Sequence, residues 1–439
     1  MTSSWRKHIP EVVVWVFLAP ALTCRAADPK DFSFRFNLWN EVTGVRVNNA
    51  SPFNPNNLWL NLPVWSDSFI AEGEASLSLA GRFKIAGSFT NRYDYSAGSH
   101  DRLRLKELYL NLSVNSNWDV TAGKKILKWG TGYAWTPTGV LDPVRDPRDP
   151  TDRLSQYEGR ELIEIRGTYG SHNVEAVYSS PRIFSKLQTR SREDQWAVKF
   201  NSLYRKLDYS LIASFGGLRA ANRYGANATY VLGSSLEVHG EFIAQRGSRL
   251  LYPQAIALED PLVTPSTPSY APLKEHDDAI YVRALAGANY TFPTGWNLVV
   301  EYYKDQHGLT VLERERLDSF VRFNEEQYRL LSAPTLSTVT LPAANLLWTL
   351  QGIGGFNRAR DYLFTRIARD RLANKWNLEN IAIFSLRDGS SIWIPHLGFD
   401  FSEPVGAYLR YTYYAGNRIS EFGSLPWRST WNLGLAVRF

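Results

Sequence analysis

Apolar and polar residues alternate one by one along nearly the whole of this sequence. One segment carries apolar side chains at Phe69, Ala71 and Leu77, and the residues between them include Glu72 and Glu74. Successive side chains of a β-strand point to opposite faces, so a period of two indicates a strand with one apolar and one polar face. Because such segments follow one another from residue 32 to residue 439, the chain is expected to form one large β-structure.

About eighteen such segments can be counted, although the alternation is ambiguous at 103–112, 362–367 and 392–401, which leaves sixteen open. An even number of antiparallel strands is typical of bacterial single-chain barrels. The predicted fold class is therefore an all-β, transmembrane, antiparallel up-and-down β-barrel of 16–18 strands, with 18 preferred. The strands are expected to begin near Phe32, Ser68, Arg82, Leu103, Trp118, Gly159, Ser171, Gln195, Leu207, Asn222, Ser235, Ala279, Trp296, Arg360, Trp376, Ile392, Val405 and Ser429.

The connections between these segments alternate in length. Outer-membrane barrels pair short periplasmic turns with long surface loops, so both ends of the barrel domain are predicted to be periplasmic. Tight turns are expected around Gly81, Asn115, Gly170, Gly233 and Gly295, and long loops over 48–67, 130–158, 246–278, 305–358 and 416–428.

Three tryptophans open strands directly after tight turns. These are Trp118, Trp296 and Trp376. Aromatic residues form girdles where a barrel wall meets the membrane interface, so the three positions predict an aromatic girdle on the periplasmic side.

The last nine residues alternate strictly and end in phenylalanine. This pattern resembles the C-terminal sorting strand of Gram-negative outer-membrane proteins, which the barrel-assembly machinery recognises. The resemblance implies that machinery as a partner and the cell outer membrane as the location. The residues that form the predicted sorting signal are Trp431, Leu433, Leu435, Val437 and Phe439.

The N-terminus has the features of a secretory signal peptide. Arg6 and Lys7 precede an apolar run over 12–19, which is shorter than the roughly 20 residues of a membrane-spanning helix. Cleavage before Ala27 would divide the chain into a signal peptide (1–26) and a barrel (27–439), and would remove Cys24, the single cysteine. Lipidation at Cys24 is the alternative.

One stretch departs from the period of two. Residues 310–331 carry Leu317, Phe320 and Val321 at nearly helical spacing with charges between them. This pattern predicts a helix within the long loop 305–358.

The most unusual chemistry follows the fifth predicted strand. The stretch Gly123-Lys124-Lys125-Ile126-Leu127-Lys128-Trp129-Gly130-Thr131-Gly132 leads into a segment with Pro137, Pro143, Pro147 and Pro150 among charges of both signs. Proline lacks the N–H that a strand needs, so this segment must leave the barrel wall. Over about 123–153 the pattern resembles porin-like barrels of the alginate-export and related uncharacterised families, whose members are thought to move polysaccharides or small organic compounds.

We predict that residues 130–158 form a constriction loop in the barrel lumen; a salt-bridged plug or a surface bracing loop is the alternative. Charged side chains near a narrow aqueous path set solute preference. The predicted pore residues are Lys125, Trp129, Asp142, Arg145, Asp146, Arg148, Asp149, Asp152 and Arg153. The predicted lumen residues are Glu72, Glu74, Arg82, Lys84, Glu237, His239, Glu241, Arg283 and Glu301, which carry both signs and argue against an alginate-type channel.

Other functional classes are less consistent with the sequence. The 49 basic and 43 acidic residues are interspersed along strands, which argues against a nucleic-acid partner. His239 lies between Glu237 and Glu241, but no nucleophile can be assigned to it, and no metal site or cofactor is predicted.

The sequence thus predicts a porin-like channel for passive passage of small hydrophilic or organic solutes or saccharides. Only a few residues separate the cleavage site from the first strand, so no plug domain fits there. Outer-membrane lipids and lipopolysaccharide are expected partners. The alternatives are a secreted or surface β-rich binding or structural protein without channel activity and, ranked last, a barrel enzyme.

Overall fold

A computed structural model describes residues 32–57, 60–94, 100–153, 156–180, 194–216, 222–253, 273–330, 345–346, 349–350 and 358–439. The predicted signal peptide (1–26) lies outside these residues. The strands are β1 (Phe32–Val47), β2 (Trp65–Leu79), β3 (Phe83–Asp94), β4 (His100–Ser113), β5 (Trp118–Lys125), β6 (Arg160–Tyr169), β7 (His172–Ser179), β8 (Gln195–Tyr204), β9 (Leu207–Gly216), β10 (Arg223–Leu232), β11 (Leu236–Pro253), β12 (Leu273–Thr291), β13 (Asn297–Asp305), β14 (Asp361–Leu372), β15 (Trp376–Ser385), β16 (Ser391–Asp400), β17 (Val405–Ala415) and β18 (Trp427–Arg438).

The strands close into a barrel because each pairs antiparallel with its neighbours in the chain and β18 pairs with β1. At the seam Phe36 N–H donates to Phe439 O at 3.2 Å, and Phe439 N–H donates to Phe36 O at 2.8 Å. Closure leaves no free sheet edge. The predicted fold class is confirmed with eighteen strands, and all but one begin within three residues of the predicted positions; β12 begins at Leu273, six residues before Ala279.

The outer face of the barrel is apolar. A patch of this extent around a whole sheet is not found on proteins that fold in water, so the wall is suited to a bilayer. Leu433, Leu435 and Phe439 of the predicted sorting strand lie on this face. Other exposed apolar side chains on it are Phe34, Phe83, Ile85, Leu108, Leu110, Ile163, Ile165, Val198, Leu211, Phe242, Ile367 and Leu409.

One end of the barrel, called the turn end below, carries eight connections of two to five residues. Gly81 and Gly233 both have φ +64° in these turns, a conformation that favours glycine. Aromatic pairs surround the turn end: Trp118 contacts Tyr169 at 5.9 Å between ring centroids, and Trp376 contacts Phe399 at 4.6 Å. These rings form part of the girdle that the sequence predicts.

The opposite end, called the loop end, holds the other connections, of five residues or more, and the helix α1 (Val311–Leu330). Thr310 and Glu313 cap the helix reciprocally, because Glu313 N–H donates to Thr310 Oγ1 at 3.2 Å and Thr310 N–H donates to Glu313 Oε2 at 2.7 Å. Leu317 and Val321 pack with Phe53 from the loop between β1 and β2. The helix therefore lies over part of the loop end. Among the described residues, no helix is both long and apolar enough to cross a membrane.

Candidate functional site

The connection between β5 and β6, residues 126–159, is called the lumen loop because it lies inside the barrel. Its described residues bond to inward-facing side chains of β7, β10, β11, β13, β15 and β17. The neighbouring wall residues Phe242 and Tyr302 are exposed on the opposite face. The prolines of this segment cannot join the wall ladder, so the segment must find other partners for its backbone.

Glu241 of β11 is the principal anchor of the lumen loop. Its Oε1 accepts from Thr131 N–H at 2.6 Å, from Gly132 N–H at 2.6 Å and from Thr131 Oγ1 at 3.2 Å. Its Oε2 accepts from Thr138 N–H at 2.8 Å and from Thr138 Oγ1 at 2.7 Å. The side chain is buried, so this one carboxylate satisfies three backbone amides of the loop inside the barrel.

Glu301 of β13 is a second anchor. Its carboxylate accepts from Tyr133 N–H at 2.5 Å and from Ala134 N–H at 2.9 Å. His239 Nε2 lies 2.9 Å from Glu301 Oε1 on the wall side. Glu301 is fully buried, so its charge is compensated by these donors rather than by water.

Asp142 connects two parts of the lumen loop by hydrogen bonds. Its Oδ1 accepts from Trp129 N–H at 2.8 Å and its Oδ2 from Gly130 N–H at 3.1 Å. Burial raises the pKa of Asp142 to about 6, and the two amides only partly oppose this effect. A carboxyl that favours its neutral form when folded contributes stability that is fully present below its unfolded pKa and is lost as the pH rises through about 6.

Asp142→Asn is expected to remove this pH dependence. The shift of the Asp142 pKa to about 6 corresponds to about 3 kcal/mol between the two protonation states. The thermal unfolding midpoint of the wild-type barrel in detergent should therefore fall relative to that of Asp142→Asn as the pH rises from about 4 to about 7. A constant difference between the two proteins over this range would show that Asp142 keeps its ordinary pKa.

Apolar contacts hold the same loop against the wall. Trp135 stacks on Tyr303 at 4.8 Å between centroids and meets Phe364 edge-on at 6.1 Å. Further along the wall, Leu127 and Trp129 are buried with inward-facing aliphatic residues of β6 to β9 and β11. Apolar wall residues thus lie under the loop beside the carboxylate anchors, and their packing excludes water from these contacts.

The lumen loop crosses from one side of the barrel to the other. Asp142 lies at the β7–β11 side with Trp129, whereas Arg148 Nη1 donates to Tyr414 Oη of β17 at 3.1 Å. Arg410 of β17 also donates to the Arg148 carbonyl. In an eighteen-strand barrel β8 lies opposite β17, so residues 142–148 span the lumen. Midway along this span, Val144 is 89% exposed.

A cavity of about 560 Å³ lies inside the barrel beside β14 to β1. Arg153 of the lumen loop lines it and pairs with Glu379 of β15. The charged side chains around it are five arginines and four carboxylates: Arg35, Arg153, Arg366, Arg410, Arg438, Glu41, Asp370, Glu379 and Asp400. Both charge signs therefore face the same space.

This architecture matches two solved structures from Pseudomonas aeruginosa. OprD has a TM-score of 0.50 and 10% sequence identity, over 93% of this chain and 95% of that chain. OccK11 (OpdR) has a TM-score of 0.50 and 9% identity, over 93% of this chain and 96% of that chain. The fold is porin-like. No protein-family model and no curated protein matches the sequence.

The predicted pore residues of this porin-like barrel fall into two groups: those that hold the lumen loop in place and the one that lines the cavity. Most of them hold the loop in place, as in Arg145, whose Nη1 donates to Gly132 O at 2.6 Å and to Tyr133 O at 3.0 Å. Of the nine, Arg153 lines the cavity. Lys125 bonds to Glu164, and the Trp129 indole N–H donates to Glu175. Asp146 accepts from Arg148, and its backbone carbonyl accepts from Asp149 N–H. Asp152 accepts from the amides of Gln156 and Tyr157.

The predicted lumen residues also differ in their surroundings. His239, Glu241 and Glu301 face inward, but they are buried, and the lumen loop covers Glu241 and Glu301. Glu72 is buried in an ion pair with Lys106 at 2.6 Å. Glu74 pairs with Arg35, and Arg283 lies beside Tyr303. Arg82 and Lys84 are exposed near the turn end, and Glu237 is half-exposed on β11.

Several residues that shape the interior carried no clear sequence signal. Tyr303, Tyr362 and Phe364 are apolar or aromatic side chains on the inner face, where alternation predicts polar ones. Arg366 of the cavity wall lies in the segment 362–367, whose alternation is ambiguous, whereas Arg410 lies between the apolar Leu409 and Tyr411 and could have been assigned to the inner face by alternation. In the described ranges, no group of three or more His, Cys, Asp or Glu side chains is placed to hold a metal ion.

Proposed function

We propose that the protein is a passive outer-membrane channel for small hydrophilic or organic solutes, with the lumen loop as its constriction. The observation that carries this proposal is a closed barrel with a lipid-compatible outer face, crossed inside by a loop that leaves a charged cavity beside it. Charges at a narrow aqueous path select solutes without any energy source. The turn end would then face the periplasm and the loop end the outside.

The mixed lining favours small solutes over a long polyanion. Five arginines share the cavity with four carboxylates, and Glu379 bonds both Arg153 and Arg366, so no continuous row of unpaired positive charge runs along it. An alginate-type polymer needs such a row. The alginate-export resemblance of residues 123–153 therefore supports a porin-like barrel more than it supports that substrate, and saccharides without charge stay within the proposal.

Conductance in planar bilayers tests the proposal directly. Purified protein should give discrete steps in salt solution, since the cavity is lined by charged side chains that bind water and ions. Fractionation and heat-modifiable migration on gels would test the membrane location separately. Membrane insertion without open steps would favour a closed barrel used for adhesion or support, and release into the soluble fraction would favour a secreted β-rich protein.

Arg153→Gln is expected to shift selectivity toward cations. Arg153 is partly exposed in the cavity, and its replacement by glutamine removes one positive charge from the lining. A unit charge a few ångströms from a permeating ion contributes on the order of 1 kcal/mol in water, which corresponds to about a fivefold change in the permeability of each ion, in opposite directions for anion and cation. Reversal potentials in a salt gradient measure this ratio.

The control for Arg153 is Arg205→Gln. Arg205 lies in the turn between β8 and β9 at the turn end, where its guanidinium stands 5.4 Å from the centroid of the Tyr204 ring. The reversal potential of this variant should equal that of the wild type. Equal reversal potentials for both variants and the wild type would place the permeating ions away from Arg153.

A further inference from the structure

An apolar groove of about 420 Å³ lies on the outer face of the barrel and extends from β14 to β17. Asn380 and Pro395 pair with each other across β15 and β16. Their short side chains lie between the longer side chains of Ile367 and Tyr411, which are exposed on the flanking strands. The wall beneath is closed, since Ile394 next to Pro395 is buried against the lumen loop. The groove is therefore a depression in the lipid-facing surface.

Positive charge lies at the turn-end margin of this groove. The guanidinium carbon of Arg369 is 5.9 Å from the centroid of the Trp296 ring, and Trp296 lines the groove. Lys375 Nζ is 5.8 Å from the centroid of the Phe399 ring, which belongs to the aromatic pairs around the turn end. Aromatic girdles mark the level of the lipid head groups. The two cations are thus placed where a bilayer has its phosphates.

The positive charge at this margin is not neutralised by neighbouring acids. Arg371 is also exposed, so three cations fall within the seven residues 369–375. Among the described residues, none of these three side chains forms an ion pair. Asp370 and Asp400 line the lumen cavity on the opposite face, and Glu403 is exposed in the next turn. A net positive charge therefore remains beside the groove.

The charge is also unevenly distributed around the turn end. Five of the eight turn-end connections contain no lysine or arginine. The cations at 369–375 are therefore a local feature of the barrel beside the groove.

The groove alone confers no preference for one lipid over another. A hydrocarbon chain in a bilayer is already surrounded by apolar groups, so it gains little from the hydrophobic effect when it enters an apolar groove. The head group must therefore decide the preference. Guanidinium and ammonium groups bind phosphate oxygens strongly, whereas an ethanolamine head group would bring its own ammonium close to the cations. A head group with a net negative charge is thus favoured over a zwitterionic one.

We propose that this groove binds one glycerophospholipid with a net negative head group, such as phosphatidylglycerol. One acyl chain lies between Ile367 and Tyr411, and the phosphate binds Arg369 and Lys375. Short turns of outer-membrane barrels face the periplasm, so the lipid comes from the periplasmic leaflet. Lipopolysaccharide has phosphates too, but it lies in the other leaflet. The inference requires the barrel to be in a membrane and does not depend on its channel activity.

Photolabelling in lipid vesicles tests this site. The probe is phosphatidylglycerol with a diazirine in one acyl chain, present as a minor component of phosphatidylethanolamine vesicles that contain the purified barrel. Labelled peptides that cover 376–380, 395–397 and 409–411 report occupancy of the groove. We expect these peptides to be labelled and unlabelled phosphatidylglycerol to compete. A phosphatidylethanolamine probe with the same chains should label them several-fold less.

Removal of the cations should abolish this preference. Loss of one cation beside an anionic lipid lowers binding about fivefold, so Arg369→Gln/Lys375→Gln should lower labelling by the phosphatidylglycerol probe at least about fivefold. The matched control is Arg205→Gln/Lys206→Gln, which removes two cations from the β8–β9 turn, including the one over the Tyr204 ring. Groove labelling in this control should equal that of the wild type. The pair of variants separates a change of total charge from a change at the groove.

Equal labelling of the groove by both probes, unchanged in Arg369→Gln/Lys375→Gln, would overturn the proposal and leave the groove to bulk lipid. Displacement of the probe by lipid A but not by phosphatidylglycerol would overturn it in favour of lipopolysaccharide. Leu397→Trp fills the groove at a leucine that is 37% exposed and should lower labelling by both probes. Unchanged labelling in Leu397→Trp would place the probe outside the groove and so contradict the proposal. Heat-modifiable migration on gels checks that each variant is folded.

Discussion

Glu241→Gln is expected to release the lumen loop from the wall. Both oxygens of Glu241 accept hydrogen bonds from backbone amides of the loop. A glutamine at this position has one acceptor and one donor, so at least one buried N–H would face another donor. An unsatisfied buried group costs about 1–3 kcal/mol, and loss of bonds to a charged acceptor adds to this. We expect the free energy of unfolding to fall by at least about 3 kcal/mol.

Glu237→Gln is the matched control, because Glu237 lies on the same strand with a side chain that is 39% exposed. Its free energy of unfolding should change by less than about 0.5 kcal/mol, as for ordinary surface positions. Denaturant unfolding in detergent, followed by tryptophan fluorescence, measures both. The released loop should also make single-channel currents larger and noisier in Glu241→Gln. Similar stability of the two variants would show that Glu241 is not an anchor.

The barrel could be predicted from the sequence because its signal is local and repeated. Alternation along each strand indicates which residues lie on each of its two faces. Residues such as Gly81 and Gly233, which adopt positive φ, indicate the turns. Antiparallel neighbours are also neighbours in the chain, so the order of the sheet follows from the order of the strands. No long-range information was needed for the fold.

The ambiguous phase at residues 103–112 has a structural cause. The ladder between β3 and β4 shifts register between Ser88 and Phe89, where Lys106 is the additional residue on β4. A β-bulge of this kind reverses the faces of all later residues in the strand. Leu103 is exposed before the bulge and Leu108 after it, an odd and an even position. A strict period of two cannot describe such a strand.

The other two ambiguous segments face the lumen loop. In β14, Tyr362 and Phe364 are buried on the inner face, and in β16 Ile392 and Ile394 are buried there too. These residues pack in one cluster with Trp135 of the loop. Where a loop covers the inner wall, both faces of a strand become apolar and the alternation disappears. The lost alternation is itself a sign of a folded-in loop.

The roles of the inward charges could not be predicted from their positions. Glu237 and Glu241 occupy equivalent places in the alternation of β11, yet one is half-exposed and the other is buried under five hydrogen bonds. The difference depends on where the loop returns to the wall, which is a contact between residues about a hundred positions apart. Period-two patterns contain no information on such contacts.

Excision of the lumen loop is expected to raise single-channel conductance several-fold. Lys125 and Arg160 are partners in the ladder between β5 and β6, so a short Asn-Gly turn can replace residues 126–159 without changing the wall. The excision removes the span from Asp142 to Arg148 that crosses the lumen. It is cleaner than deletion of 137–152 alone, which would remove Asp142 and so leave the N–H groups of Trp129 and Gly130 without their acceptor.

A second variant at the same place is expected to lower single-channel conductance. Val144→Trp adds a large side chain where the span is most exposed, at 89%, and should lower conductance by narrowing the remaining path. Val198→Trp, at a valine that is 41% exposed on the lipid-facing side of β8, makes the same change outside the lumen and should leave conductance unaltered. The barrel without the lumen loop and the Val144→Trp variant could instead both conduct at the wild-type level. In that case solutes do not pass the lumen loop and the constriction lies elsewhere, and the covered loop end is the next place to test.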